Sequence, residues 1–416
     1  MTTISQHSFA SGKHGIHVVG GGLTGYAAAL ALADHGYAVR LYHREDEAID
    51  PLRTTTINPA TYDFLNILGV MDAAAGDTPL AEKLAPIERI LVTDDIPREN
   101  PLDAVINWDK PDTGPLAWVA RNSDLNMALR HLVEASPLIE RTSALVTGYH
   151  PRHPEYDEAA ANLITDQGES IPAGLILAAD GRNSVLRQAA SIRVITRNLH
   201  QTAIVAILTL DAPHQNMAWQ KFLPGGPMAL MPLPEPRLAS LVWSMKTEEA
   251  ERLMQGDDDR FAMALDDASG QIFGGLRLAS PKQAFPIIPQ HAVWPVAPRL
   301  ALLGDAGHAI HPLAGQGYNL AIGDIMTLRN VLNSAGNTGA DIGGASVLRR
   351  YAMRRWPEVT MMTMATDGLN MLFSFGKRRR RLAGMGMAIA NIPPIKALAE
   401  KLASGRLFHR KQSNRG

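Results

Sequence analysis

An apolar run, residues 16–20, leads straight into Gly20-Gly21-Gly22-Leu23-Thr24-Gly25. This hexamer, spaced G-x-G-x-x-G, constrains the fold more than any other part of the chain. An alanine-rich helix is predicted over 23–35, closed by Gly36, and the next strand over 38–42. Strand, glycine turn, helix and strand make a βαβ unit. Its first glycine permits the tight turn, its second lets backbone N–H groups approach a pyrophosphate, and its third lets helix and strand pack closely. The unit predicts an α/β domain that binds a dinucleotide, with Gly20, Gly22 and Gly25 at the phosphates. One part departs from the pattern. The residue that ends the second strand and usually offers a carboxylate to the ribose hydroxyls is His43. Imidazole can hydrogen-bond a hydroxyl, and Glu45 stands two residues on. The adenosine end of the ligand is therefore expected to be held less tightly than usual, unless His43 is merely a solvent-facing strand end.

Two later stretches repeat the device of a strand with a carboxylate at its tip. Residues 174–179 are predicted as a strand that delivers Asp180-Gly181, followed by a helix with Ser184 near its cap. Residues 300–303 are predicted as a strand ended by Gly304-Asp305. A loop with Pro312, Gly315, Gln316 and Gly317 follows, and then a helix from about Tyr318 that carries Asn319. Asp305 can accept hydrogen bonds from sugar-like hydroxyls. The glycines admit close backbone approach, and the helix start adds a positive dipole.

Between these landmarks, Arg53 falls in a polar loop, Arg53-Thr54-Thr55-Thr56, before a helix over 59–68. Strands are predicted at 87–93, 104–108 and 116–119, a helix at 123–135, and strands at 144–149 and 162–165. Residues 196–289 change character. β-like runs at 203–210, 228–231 and 238–245 alternate with Pro/Gly turns, and Trp219, Phe222, Met228, Met231 and Trp243 recur among them. The expectation is an antiparallel sheet with a large apolar face. That face packs its own core, with a few of its residues available to line a pocket for a hydrophobic ring or prenyl group. Helices are predicted at 318–332, 346–375 and 395–403. The domain expectation is a discontinuous cofactor domain (14–73, 116–191, 285–345), a substrate domain (74–115, 192–284) and C-terminal helices with a basic tail (346–416).

Length and composition narrow the class. At 416 residues the chain exceeds one small core. It has no cysteine, which excludes disulfides, thiolate metal sites and a cysteine nucleophile, and fits a reducing compartment. No metal site is expected. The first 15 residues are polar, so no signal peptide is expected, and no apolar run reaches the roughly 18 residues of a membrane span. The net charge of −1 hides an asymmetry: residues 377–416 carry 11 Lys and Arg against Glu400 alone. Basic clusters beside apolar runs suit an anionic membrane surface. The expected location is cytoplasmic, with peripheral contact at the inner membrane, and no nucleic-acid partner.

Taken together, these residues resemble the FAD-dependent aromatic hydroxylases of the p-hydroxybenzoate hydroxylase fold. Within that fold they are similar to the ubiquinone-biosynthesis hydroxylases of the 2-polyprenyl-6-methoxyphenol type. The resemblance runs from about Ile16 to Gly405. It rests on the glycines of 20–25, Arg53, Asp180-Gly181, Gly304-Asp305, and the run His311-Pro312-Leu313-Ala314-Gly315-Gln316-Gly317 with Asn319-Leu320. Softer matches are 227–232 with Val242-Trp243-Ser244, and Asp367-Gly368-Leu369 with Leu372-Phe373-Ser374. His43, Gly307 and Gly323 depart from it, where Glu, Ala and Arg are more usual. The resemblance implies a Rossmann-like FAD-binding domain, a mostly antiparallel substrate domain and a helical C-terminal region. It implies the pyrophosphate at Gly20, Gly22 and Gly25, the ribityl chain at Asp305, and the isoalloxazine along 312–319. Asp180-Gly181 would serve both FAD and NAD(P)H, and Arg53 and Asn122 would lie near the flavin.

The implied reaction is hydroxylation of a prenylated phenol. NAD(P)H would reduce FAD, O₂ would give a C4a-hydroperoxide, and the electron-rich ring would take its distal oxygen. The substrate itself can supply the activating oxyanion, so no catalytic acid or base is assigned. Other ubiquinone-biosynthesis proteins are implied as partners. Two further readings stay open: another flavin oxidoreductase on this fold, and a non-catalytic accessory flavoprotein of a lipid-associated complex.

Overall fold

A computed structural model describes residues 14–44, 50–95, 106–112, 114–155, 160–311 and 315–374. Glu45, Pro312, the start of the strand expected at 104 and the basic segment from Lys377 onward lie outside the described residues.

The βαβ unit forms as Ile16–Val19, Leu23–Ala33 and Val39–His43. The first strand is buried along its whole length because it pairs in parallel on both sides, with Val39–His43 and with Leu175–Ala178. Its helix is apolar all round and packs between the sheet and two further helices, Asn122–Ala135 and Gly317–Gly336. The full sheet has six strands, in the order Val296–Ala297, Leu300–Leu302, Leu175–Ala178, Ile16–Val19, Val39–His43, Ile139–Ser143. Every neighbouring pair is parallel except the hairpin at 296–302.

Such a sheet must be covered on both faces. Alternation along its strands meets that demand. Ile16, Val18, Leu41, Leu175, Leu177 and Ala301 face the helices. Val19, Tyr42, Ile176, Ala178, Leu300 and Leu302 face a small antiparallel sheet made of Val146–His150, Ala161–Thr165 and Ser170–Ala173.

The second large sheet has eight strands and is antiparallel apart from one pair, Arg89–Asp94 with Met217–Leu223. Its long central strands are Gln201–Leu210, Leu238–Lys246 and Gly226–Pro232. Trp219, Met228, Trp243 and Met245 lie under two helices, Thr247–Gln255 and Asp258–Ser269. The opposite face, through Ile207, Ala218, Ala229 and Met231, packs on Ala85, Ile87, Ala117 and Val119. These last four belong to a three-stranded sheet of Thr54–Ile57, Ala117–Arg121 and Ala85–Ile87. The last helix, Ala345–Ser374, packs along Gly317–Gly336. It also touches Val296–Ala297 of the parallel sheet and two strands, Met217–Leu223 and Gly226–Pro232, of the larger one.

Two expectations need correction, and one strand was not expected at all. Thr54–Ile57 is a strand rather than a polar loop; three consecutive β-branched threonines suit the pleat, and the strand pairs with Ala117–Arg121. Ile139–Ser143 forms the edge of the parallel sheet, a position that tolerates its polar sequence and hides its pattern. Residues 196–289 are not all β. Their two helices are amphipathic, and Asp257 caps the second by accepting from Arg260 N at 2.8 Å.

Two buried histidines make this core sensitive to acid. His17 shares a 3.0 Å hydrogen bond with the Tyr42 hydroxyl, and burial pushes its imidazole down to about 4. Burial also pushes His311 down to about 4. Unfolded imidazoles protonate near 6.5, so between pH 6.5 and 4 the unfolded chain gains protons that the folded chain refuses. Stability should therefore fall with decreasing pH across that window, by about 1.4 kcal/mol per pH unit per histidine. Urea unfolding followed by circular dichroism should show a shallower decline for His17→Asn than for the wild type. An unchanged slope would contradict this account.

Candidate functional site

Three parallel strands lie side by side, so their carboxyl ends share one edge. Gly20 follows Ile16–Val19, Asp180 follows Leu175–Ala178 and Asp305 follows Leu300–Leu302. Segments separated by well over a hundred residues thus end on a single sheet edge, the edge at which open α/β sheets bind their ligands.

At the first tip, two glycines are demanded by the backbone itself. A Cβ on Gly20 would lie 2.2 Å from the Ala179 carbonyl oxygen, and one on Gly25 would lie 1.8 Å from that of Gly20. Gly22 is different: a Cβ there meets nothing within 4 Å. Gly22 is also the N-cap of the helix, with no capping side chain and no acidic residue in the first turn. Space, backbone amides and a positive helix end therefore coincide, which fits a pyrophosphate. His43 packs on this turn, its Cβ 2.6 Å from where a Gly21 side chain would begin. It is buried, at 8 % exposure, so it is not a solvent-facing strand end.

At the second tip, Asp180 Oδ2 accepts from Leu186 N at 3.2 Å, while Oδ1 is buried and has no partner. Burial raises the carboxyl above its ordinary range, against the hydrogen bonds it accepts from the Ser184–Leu186 turn. An orphaned carboxylate oxygen in a crevice suits a ligand donor such as a hydroxyl or amide. Gly181, at φ +77, has open space around it. Ser184 caps the short helix Val185–Ala189 by accepting from Arg187 N at 3.0 Å, as expected. The buried Arg187 then ties this tip to the third, donating to Ala306 O at 2.9 Å and Arg182 O at 3.0 Å.

At the third tip, Gly304 is left-handed at φ +55 and Asp305 presents an exposed carboxylate. The loop returns through Gly315, whose missing Cβ would sit 2.7 Å from Thr56 Oγ1, to Gln316 and Gly317 at the start of the next helix. Asn319 spends its amide on protein partners: Oδ1 accepts from Asn58 N at 3.0 Å, and Nδ2 donates to Thr56 O at 2.8 Å and Gln316 Oε1 at 3.1 Å. It locks the loop to Thr54–Ile57. Asn122 joins the same strand, accepting from Thr55 Oγ1 at 2.7 Å and donating its backbone N–H to Arg53 O at 2.9 Å. Arg53 is exposed beside it.

Sequence reasoning gave no task to Arg187, His308, Asp324 or Arg355, all buried at or behind the third tip. Asp324 carried a readable signal, as a charged residue inside the apolar helical run Leu320-Ala321-Ile322-Gly323-Asp324-Ile325.

Fold and strand tips together define a dinucleotide-binding flavoprotein scaffold joined to a large antiparallel sheet. The chain belongs to the FAD binding domain family, whose model matches residues 13–366. It is 30% identical to the human ubiquinone biosynthesis monooxygenase COQ6, over 86% of this chain and 85% of that protein. It is 32% identical to the ubiquinone hydroxylase UbiL of Rhodospirillum rubrum, over 94% and 89%. It is 33% identical to the 3-demethoxyubiquinol 3-hydroxylase of Escherichia coli, over 85% and 88%. Among solved structures, the p-nitrophenol 4-monooxygenase PnpA of Pseudomonas putida superposes with a TM-score of 0.74 at 17% identity, covering 94% of this chain and 98% of that one. That likeness shows the fold.

The glycines separate into two kinds, and two substitutions distinguish them. Gly25→Ala forces a backbone clash and should cost the apo-protein about 1–3 kcal/mol, read as a lower Tm. Gly22→Ala should leave the apo Tm within a degree or so while weakening FAD binding about tenfold or more, because its methyl intrudes only on ligand space. Equal effects of the two on apo stability would contradict the assignment.

Proposed function

We propose that this chain is an FAD-dependent monooxygenase that hydroxylates the aromatic ring of a prenylated phenol in ubiquinone biosynthesis. The observation that carries the reading is the convergence of Gly20–Gly25, Asp180 and Asp305 on one sheet edge, in a chain 30–33% identical to named ubiquinone hydroxylases over most of its length. FAD bound there and reduced by NAD(P)H supplies the electrons and activates O₂.

The chain's own residues bind, orient and exclude water. The amides after Gly20 and Gly22, with Gly25 packing the turn, hold the pyrophosphate, and Asp305 holds the ribityl hydroxyls. Gly315, Gln316, Gly317 and Asn319 line the ring system. Asp180 and Gly181 serve the cofactor and NAD(P)H, and Arg53 with Asn122 stands at the flavin's edge. Gly304 turns Asp305 toward the ligand.

We place the substrate ring beside the antiparallel sheet, near the face that carries Met231 and Ala229 and packs on Ala117 and Val119. The boundaries 14–73, 116–191 and 285–345 for the cofactor domain follow from the same reading, with 74–115 and 192–284 for the substrate domain. The protein's work is then preorganisation in a dry crevice, since the phenol supplies its own activating oxygen.

Among the described residues no helix is long and apolar enough to cross a membrane. Access to a prenylated substrate is proposed through surface contact. The last helix exposes Met353, Trp356, Met361 and Met364 beside Arg349, Arg350 and Arg354, and the basic segment 377–416 follows it. Other proteins of ubiquinone biosynthesis are the expected partners.

The test is oxygen incorporation. With FAD, NADH or NADPH, ¹⁸O₂ and a prenylated phenol, the product should carry one ¹⁸O atom and substrate should accelerate NAD(P)H oxidation. Oxidation without incorporation would point to another flavin oxidoreductase, and no FAD-dependent turnover at all to an accessory role. His43 adds a second expectation. A carboxylate there should form a charge-assisted hydrogen bond to a ribose hydroxyl, worth about 1.5–3 kcal/mol, so His43→Glu should tighten FAD binding roughly tenfold or more. An unchanged Kd for His43→Glu would remove His43 from the adenosine site.

A further inference from the structure

Asp324 lies about two helical turns beyond the glycine-rich loop, among the buried residues of its helix. Its side chain is 2 % exposed and takes three donors, two from the stretch that follows the third strand and one from the last helix. Oδ2 accepts the backbone N–H of Gly304 at 2.9 Å and His308 Nε2 at 2.7 Å. Oδ1 accepts Arg355 Nε at 2.8 Å. Burial works against the charge, but the imidazole and guanidinium beside it hold the Asp324 carboxyl below its ordinary value.

Arg355 comes from the last helix and is equally buried. Its Nη2 donates to Leu320 O at 3.1 Å and its Nη1 to Glu358. One turn earlier on the same helix face, Tyr351 donates its hydroxyl to Leu302 O at 2.9 Å. The last helix thus grips the third strand tip on both sides of the bend. Tyr351 holds the carbonyl of residue 302, and Arg355, through Asp324, holds the amide of residue 304. The next residue is Asp305, exposed and pointing its carboxylate out of a clamped backbone.

Gly323 belongs to the device. Its missing Cβ would lie 3.0 Å from both terminal nitrogens of Arg355 and 3.1 Å from Cζ. The guanidinium occupies the room that a side chain at 323 would take. This accounts for glycine inside a helix, where alanine is ordinarily preferred.

We propose that Asp324 and Arg355 are positioning residues for Asp305. They fix the peptide of Gly304, and with it the direction in which Asp305 meets the ribityl hydroxyls. The proposal rests on the FAD reading of the site. It assigns the last helix, remote in sequence from the strand tips, a part in cofactor binding.

The experiment titrates FAD into flavin-stripped protein, following quenching of flavin fluorescence, with circular dichroism to confirm folding. Arg355→Lys keeps the charge but loses the second arm and should weaken FAD about tenfold. Gly323→Ala should weaken it by about threefold to tenfold by displacing the guanidinium, although helix preference alone predicts a protein at least as stable as wild type. In an Asp305→Ala background either substitution should change Kd by less than about twofold, because its effect passes through Asp305. Wild-type Kd in folded Gly323→Ala and Arg355→Lys would overturn the proposal, as would full additivity with Asp305→Ala. If Arg355→Lys does not fold, Gly323→Ala decides alone. A wild type that does not bind FAD would remove the reading beneath the proposal and the proposal with it, whereas normal wild-type binding with unaffected variants sinks the proposal only.

Discussion

Parallel pairing of three short strands is the constraint on which the rest of the molecule depends. Ile16–Val19, Leu175–Ala178 and Leu300–Leu302 are each only three or four residues long, yet they are buried from both faces and adjacent in one sheet. Because they run the same way, whatever follows each of them lands at the same edge. The chain uses that edge three times, for a glycine turn with an open helix end, for a half-buried carboxylate and for an exposed one. A one-residue slip in any strand would rotate its tip out of the crevice and turn core residues to the wrong face.

The surrounding elements hold those tips in place. Gly25 packs its helix directly on the Gly20 carbonyl. Arg187 bridges the second tip to the third through backbone carbonyls. Tyr351, Arg355 and Asp324 close the third tip from behind. Buried charges of this kind cost several kcal/mol each when unpaired, and here each finds partners. The antiparallel sheet adds a wide apolar wall: one face is covered by its own two helices, and the other packs on the three-stranded sheet through Met231 and its neighbours.

Much of this was legible in the residues themselves. The glycine spacing, the apolar strand before it and the carboxylates at 180 and 305 are local signals, and local signals survive reading one segment at a time. Their adjacency is not local, since it follows from sheet order. Thr54–Ile57 was obscured because a run of threonine reads as polar loop until a partner strand makes its β-branching count. The helices at 247–269 were obscured by the β-like runs around them, although Asp257 and Gly270 mark the ends of the second. Arg355 was invisible for a different reason. An arginine in a long helix is ordinarily a solvated residue, and only tertiary packing against Gly323 shows that this one is buried.

The central claim is that these three tips form one FAD site. Its most direct test is the visible absorption spectrum of the purified protein after FAD is added and free flavin is removed by gel filtration. The account predicts about one flavin per chain with resolved, shifted bands, the sign of a ring held in a structured crevice. Protein that emerges colourless, or carries only the spectrum of free flavin, would contradict it.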